Sequence, residues 1–324
     1  MITVPGKSEG SVLLPVFEKG DVVLDYAGLK YNPSDDLIFP SVIKVAGMLP
    51  RPLATYYMYY APHNAPGGIC LAYSDTLEGP WMEYGGNPLI AHIWEPHYRV
   101  EHVSSPHALF VPEASRLFLY YHGDNDTTRY ATSEDGLAFD YGGIAVDVNR
   151  FGNVSGISYA RAFRHAHPSR PDNYVMLFLA FKYAEDSYTV FDHHGLYAAW
   201  SPDARTWRIE QDPIIGQSDI GPSEFLCSPY LFSRQGRHFV FYHRDTRDKN
   251  APGGIRTDVD WVEVDRSLKR IGNPERLCAR QVFSGDNVRI SDPCPVLEGD
   301  ALYLFASIGS RLNQRIGLSV GKGM

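Results

Sequence analysis

Glu101-His-Val-Ser-Ser-Pro106-His-Ala-Leu-Phe110, followed by Arg116-Leu-Phe-Leu-Tyr-Tyr121, is the stretch from which the fold can be read, because the chain repeats it. Glu224-Phe-Leu-Cys-Ser-Pro229-Tyr-Leu-Phe232 and Arg237-His-Phe-Val-Phe-Tyr242 carry the same glutamate, Ser-Pro and aromatic strand at nearly the same offsets. Three weaker copies follow the pattern. They are Asp36-Leu-Ile-Phe-Pro40-Ser with Thr55-Tyr-Tyr-Met-Tyr-Tyr60, Ser158-Tyr-Ala160-Arg-Ala-Phe163 with Tyr174-Val-Met-Leu-Phe-Leu179, and Ser291-Asp-Pro293-Cys with Ala301-Leu-Tyr-Leu-Phe305. The anchors at 40, 106, 160, 229 and 293 lie 54 to 69 residues apart, close to one fifth of the 324-residue chain. Repeats of that length built from strands and turns, without helical heptads, predict propeller blades rather than a solenoid. The expectation is an all-β, five-bladed β-propeller with four antiparallel strands per blade, occupying residues 1–324 as a single domain.

The last copy ends at Arg315-Ile-Gly-Leu-Ser-Val320 and leaves no residues for a fourth strand, whereas residues 11–25 hold spare apolar runs. The N-terminal strand is therefore expected to complete that blade and close the ring, which removes unpaired sheet edges. Two identical hexapeptides, Asn64-Ala-Pro-Gly-Gly-Ile69 and Asn250-Ala-Pro-Gly-Gly-Ile255, predict equivalent turns in blades one and four. Hairpins closing on Trp81, Phe139 and Trp207 each combine a small or hydroxyl residue, an acidic turn and a large aromatic. Those aromatics read as plugs between neighbouring blades.

A net charge of −8 without a Lys/Arg run gives no footprint for nucleic acid or an anionic membrane. The start, Met1-Ile-Thr-Val-Pro-Gly-Lys7, lacks the basic and apolar regions of a secretory leader, so a cytoplasmic location is expected. Cys70, Cys227, Cys278 and Cys294 are dispersed and read as free thiols.

The innermost strands of a propeller line its axis, so polar groups at the anchors converge on one funnel. Asp36, Glu101, His102, His107, Tyr159, Arg161, Glu224 and Asp292 all fall there. The chain resembles the five-bladed β-propeller glycosidases of the arabinanase, xylosidase and fructosidase superfamily, akin to glycoside hydrolase family 43. The likeness rests on Phe39-Pro-Ser-Val-Ile43 before Tyr56-Tyr-Met-Tyr-Tyr60, on Ser105-Pro-His107 and Ser228-Pro-Tyr230 before aromatic strands, and on the hairpins ending at Trp81 and Trp207. That resemblance implies three catalytic acids: an aspartate before the blade-one proline, another at its blade-three equivalent, and a glutamate two before the blade-four proline. Phe39, Tyr159 and Cys227 stand at those positions, and His107 stands where blade two often has an aspartate. His102 to Val111 and Tyr159 to His165 resemble a divergent branch that lacks those acids.

Glycoside cleavage needs a proton donor and a second carboxylate. Glu224 is the candidate donor and Asp36 the candidate base, each three residues upstream of a position where the superfamily keeps an acid. Such a displacement along a strand moves a carboxyl by roughly 10 Å, so both approaches must bulge or turn into the funnel. Glu101, His102, His107, Tyr159, Arg161 and Asp292 are the candidate substrate-binding groups. No cofactor is expected, and a channel cation on His102, His107 and Asp292 has no ligand spacing behind it. Three readings stay open: a hydrolase acting on a small carbohydrate or glycoconjugate, a sugar- or metabolite-binding propeller without turnover, and an enzyme of changed chemistry on the same scaffold.

Overall fold

The computed structural model describes residues 14–152, 154–183, 191–251, 254–284 and 289–321. Five antiparallel sheets radiate from five inner strands: Leu37–Lys44, Val103–Val111, Gly156–Arg164, Glu224–Arg234 and Arg289–Glu298. Each inner strand pairs with the aromatic strand that follows it in the chain, and two further strands complete the blade. In blade three the short strand Ile215–Gly216 also pairs with the third strand. The outermost strand of blade five is Gly20–Leu24, antiparallel to Asn313–Gly321 with Gly20 opposite Ser319. The N-terminal strand thus closes the ring, as the shortfall of residues at the other end predicts.

Every inner strand breaks its ladder at the same place. Pairing skips from Ile38 to Ser41, from Ser104 to His107, from Ser158 to Arg161, from Cys227 to Tyr230 and from Ser291 to Cys294. Two residues there oppose one, which is a β-bulge. The first of the two is left-handed in all five blades: Phe39 at φ 59°, Ser105 at 56°, Tyr159 at 56°, Ser228 at 53° and Asp292 at 54°. The second is proline in four blades and Ala160 in the fifth. Proline has no N–H for a continuous ladder, and a bulge is where an inner strand tolerates it. A left-handed non-glycine residue costs about 1–3 kcal/mol and persists only where its surroundings over-determine it.

Those surroundings are the faces between blades. Five apolar clusters occupy the five blade interfaces, including one where blade five meets blade one through Leu24, Met58, Cys294, Phe305 and Leu318. The hairpin aromatics plug them. Trp81 meets Phe305 of blade five edge-on at 5.8 Å, Phe139 meets Tyr59 of blade one at 6.2 Å, and Trp207 meets Tyr120 of blade two at 5.9 Å. The acidic turn residues hold the hairpins from within: Asp135 accepts from the N–H groups of Leu137 and Ala138, and Asp203 from those of Arg205 and Thr206. Tyr59 and Tyr120 then donate their buried hydroxyls to Gly136 O (2.8 Å) and Ala204 O (2.6 Å) of the next blade's turn. In the first shared hexapeptide, a Cβ on Gly67 would lie 2.1 Å from Val103 O, so only glycine allows that close approach to blade two. Pro252 and Gly253 of the second hexapeptide lie outside the described residues.

Trp207 is 1% exposed, and removing it leaves a cavity between blades two and three. Trp207→Ala is expected to cost roughly 3–5 kcal/mol by chemical denaturation, and Trp207→Phe distinctly less. A loss below about 1 kcal/mol for the alanine variant would show that the interface closes without its plug.

Candidate functional site

The residue after each bulge lies at the centre of the ring. Arg161 of blade three donates through Nη1 to Pro40 O of blade one at 3.1 Å, and its guanidinium lies 3.9 Å over Phe39 and 5.2 Å over Tyr230 of blade four. His107 of blade two meets Tyr230 edge-on at 5.7 Å and has Ser41 Oγ at 3.3 Å and Arg161 Nη1 at 3.4 Å from its Nδ1. Contacts between blades one and three, and between two and four, can form only across the axis. Arg161 is fully buried. His107 Nε2 is 2.9 Å from Ala162 O, and burial first, then the Arg161 charge, pushes its pKa well down, so the ring is neutral. Of the expected substrate-binding residues, Arg161 and His107 are therefore interior groups beneath Phe39 and Tyr159.

Above this plug, at the N-terminal ends of the inner strands, polar side chains cluster in a region termed the mouth. A column of rings leads into it: His102 meets His122 edge-on at 5.3 Å, His122 meets Tyr159 at 5.8 Å, and Tyr159 stacks on Phe39 at 5.8 Å. Asp292 sits opposite, with Oδ1 accepting from Ser228 Oγ and Oδ2 from Ser307 Oγ (2.8 Å) and Ser291 Oγ (3.1 Å). Burial works to raise this carboxyl, but the serine hydroxyls that donate to it outweigh that and hold it below its ordinary range. His243 Nδ1 accepts the Asp292 N–H at 3.1 Å, so that nitrogen carries no proton and the ring is neutral. The 3.5 Å approach of the carboxylate to it is then no ion pair, and the hydroxyls supply most of the holding.

Asp245 is bound by Arg289, whose Nη2 lies 3.0 and 3.3 Å from its two oxygens, and by the Thr257 hydroxyl. Burial works to raise this carboxyl too; the Arg289 charge, with the Thr257 and Arg289 hydrogen bonds, overcomes it and keeps it low. Asp36 goes the other way. It is 0% exposed, its Oδ1 accepts the Gln314 N–H at 2.6 Å, and its Oδ2 has no hydrogen-bond partner among the described residues. Burial, with the nearby Asp292 charge adding to it, pushes Asp36 up to about 6 against the opposing Gln314 bond. His63, whose side chain is 29% exposed, brings Nδ1 to 3.9 Å from that free oxygen. Gln314 Nε2 donates to Ser291 Oγ at 3.0 Å, which ties Asp36 to Asp292 through one amide and one hydroxyl.

Glu224 belongs to a different network. It accepts from Gly221 N–H at 2.9 Å and pairs with Arg244 at 2.9 Å; Arg244 bridges to Asp260 at 2.7 Å, and Asp260 to Arg276, a ladder that runs outward across blade four. Glu101 is exposed, and its backbone N–H is donated to Asp124. His102 Nδ1 lies 3.5 Å from the same aspartate. The structure thus gathers Asp36, Tyr159 and Asp292 at the mouth with His102 on its rim, and engages Glu224 elsewhere.

His63, His122, His243, Asp245 and Arg289 complete the mouth, and most of them come from the second strands or the turns that follow rather than from the inner strands. A signal for two existed: Tyr120-Tyr121-His122 and Phe241-Tyr242-His243 end alike, and their histidines pair with Ser104 and Cys227, two residues before the bulge proline. Cys227 is half-buried near Asp245 and Asp292, and desolvation pushes its thiol well up, which makes it a poor nucleophile. All four cysteines are free. Among the described residues, no group of three or more His, Cys, Asp or Glu is arranged to hold a metal ion, and no helix is long and apolar enough to cross a membrane.

Two cavities lie away from the mouth. One of about 690 Å³ lies between blades three and four beside Trp200 and Leu268, where Arg170 is already paired with Glu210 and Arg270 with Asp219. A second, of about 310 Å³, lies below the plug and is lined by Val42, His107, Phe163 and Tyr230 among others. The mouth, with carboxyls driven in opposite directions and a free carboxylate oxygen, is the better candidate site.

No protein-family model and no curated protein matches the chain. Solved structures do. One described as a glycoside hydrolase superposes with a TM-score of 0.69 at 10% identity, covering 96% of this chain and 93% of that one. A thermostable family-43 glycoside hydrolase gives 0.60 at 13%, covering 88% of each. A GH62 hydrolase in complex with xylotriose gives 0.61 at 9%, covering 94% and 97%. The chain has the five-bladed β-propeller fold seen in these glycoside hydrolases.

Asp36 titrates near 6 when folded against an ordinary 3.8 for aspartate, so protonation favours the folded state. Its contribution is complete below pH 3.8 and is lost as pH rises through about 6. Asp36→Asn, which keeps the Gln314 bond, is expected to flatten that dependence and to stabilise the protein at neutral pH by on the order of 1–3 kcal/mol. Urea unfolding at pH 4.5 and pH 7 checks this; equal pH dependence in both proteins would clear Asp36 of the effect.

Proposed function

We propose that the protein acts on a glycoside bound at the polar mouth, with Asp36 and His63 as the proton-transferring pair and Asp245 as the carboxylate that stays ionised. The observation that carries this reading is the split in carboxyl titration within one cluster: Asp36 is pushed up to about 6, while Asp245 and Asp292 are held down. Acid and base roles follow from environments that drive neighbouring groups apart. Asp292, with three hydroxyls on its oxygens, serves as a fixed charge that adds to burial in keeping Asp36 protonated. Asp36 is enclosed, so it exchanges its proton through the part-exposed His63 rather than by touching the substrate. Arg289 orients Asp245, and Tyr159 forms the floor against which a sugar ring would lie. Glu224 is read as structural because its carboxylate is committed to Arg244 and Gly221. The glycoside itself comes from fold analogy, the residues from this chain.

One observation favours a second reading, sugar binding without turnover. Phe39 occupies the position at which the resemblance implies a catalytic aspartate, and it is fully buried between Tyr159 and Arg161.

A panel of aryl glycosides separates the two. Hydrolysis by the wild-type protein is expected to fall by about 10²-fold or more in Asp36→Asn, to fall as pH rises above about 6, and to survive Glu224→Gln. Full turnover by Asp36→Asn would remove the pair from its role, and loss in Glu224→Gln would return the proton donor to blade four. Calorimetric binding of the same sugars with no release of aglycone supports the second reading.

A further inference from the structure

We propose that Arg161 holds a small anion of the halide class inside the axial channel. A guanidinium stays charged at any ordinary pH, and a buried charge needs a counter-charge or a full set of hydrogen bonds. Arg161 is 0% exposed, and among the described residues Nη1 reaches Pro40 O while Nε and Nη2 have no acceptor. No carboxylate within salt-bridge reach of it is found among the described residues; Asp292 acts on it only at longer range. Phe39 and Tyr230 cover its faces, so the cation is partly compensated from above and below but not along its edge. Nε and Nη2 form the fork of parallel donors that receives an anion.

The side chains at its level supply no negative charge. His107 is neutral with Nε2 at Ala162 O, Ser41 accepts from Ala108 N–H, and burial keeps the Cys294 thiol protonated. They also supply few further donors. An oxyanion such as phosphate wants several, whereas a halide is satisfied by a charged fork in apolar surroundings. On the side away from the mouth a cavity of about 310 Å³ comes up to the neighbours of Arg161: it is lined by His107, Ala162 and Tyr230, two of them in contact with Arg161 and the third next to it in the chain. Phe39 and Tyr159 separate Arg161 from the glycoside mouth, so the inference stands apart from the function proposed there.

Wild-type crystals soaked in sodium bromide are expected to show an anomalous peak at the Nε and Nη2 edge. In solution the thermal midpoint is expected to be higher in chloride than in gluconate at equal ionic strength. It should climb by about 2 °C for each tenfold rise in chloride above its dissociation constant. Arg161→Met, which preserves the stem and removes the charge, is expected to abolish both effects. An edge occupied by water alone in bromide overturns the proposal, and so does a wild-type midpoint indifferent to chloride; neither result needs the variant to fold.

Discussion

Five left-handed residues set the rest of this structure. Phe39, Ser105, Tyr159, Ser228 and Asp292 each bend an inner strand at the matching register position, so that the ladder is interrupted and the residue after the bulge meets its counterparts at the centre. A straight inner strand would keep its alternation and send every side chain into a blade interface. The bulge breaks that alternation once per blade. It also explains the four prolines, which sit where no N–H is needed, and it makes each blade locally unfavourable until its neighbours are packed against it. Folding of one blade is thus tied to assembly of the ring.

The bulges divide the axis into two chemical regions. Below them Ser41, His107, Arg161, Tyr230 and Cys294 pack against one another, and the permanent charge among these five is a guanidinium sandwiched by rings. Above them the strands carry carboxylates whose partners differ, and the partners decide the charge. Asp292 is surrounded by hydroxyls and Asp245 is clamped by Arg289, so both ionise despite burial. Asp36 has one amide on one oxygen and, among the described residues, no donor on the other, so burial prevails. Three aspartates at one mouth therefore differ because of what donates to them, not because of depth.

The same economy of position explains Glu224. Its frame matches that of Glu101, yet one caps Gly221 and pairs with Arg244 while the other is exposed beside Asp124. Equivalent places in a repeat share a backbone, but their side chains meet whatever the adjoining strand presents. Arg244 stands on the second strand of blade four opposite Leu226; the matching residue of blade two, opposite Val103, is Gly123.

Most of the fold was legible in the chain because it repeats. The anchors, the aromatic strands, the shared turn hexapeptide and the hairpin plugs recur at blade spacing, and the missing fourth strand of the last blade pointed to the spare one at the start. Those features are local, and local sequence carries them. The left-handed backbone at Phe39 and Tyr159 was not legible, since neither residue prefers it and only the closed ring enforces it. Nor was the membership of the mouth: His243 and Asp245 come from a second strand and His63 from the turn after one, and Arg161, a funnel residue by its place in the repeat, lies under Phe39. Which residues line an axis depends on strand order and bulge register together, and which carboxyl keeps its proton depends on donors from other blades. Both are properties of contacts between segments far apart in the chain, so the sequence alone determined the ring, and only the assembled ring decided its chemistry.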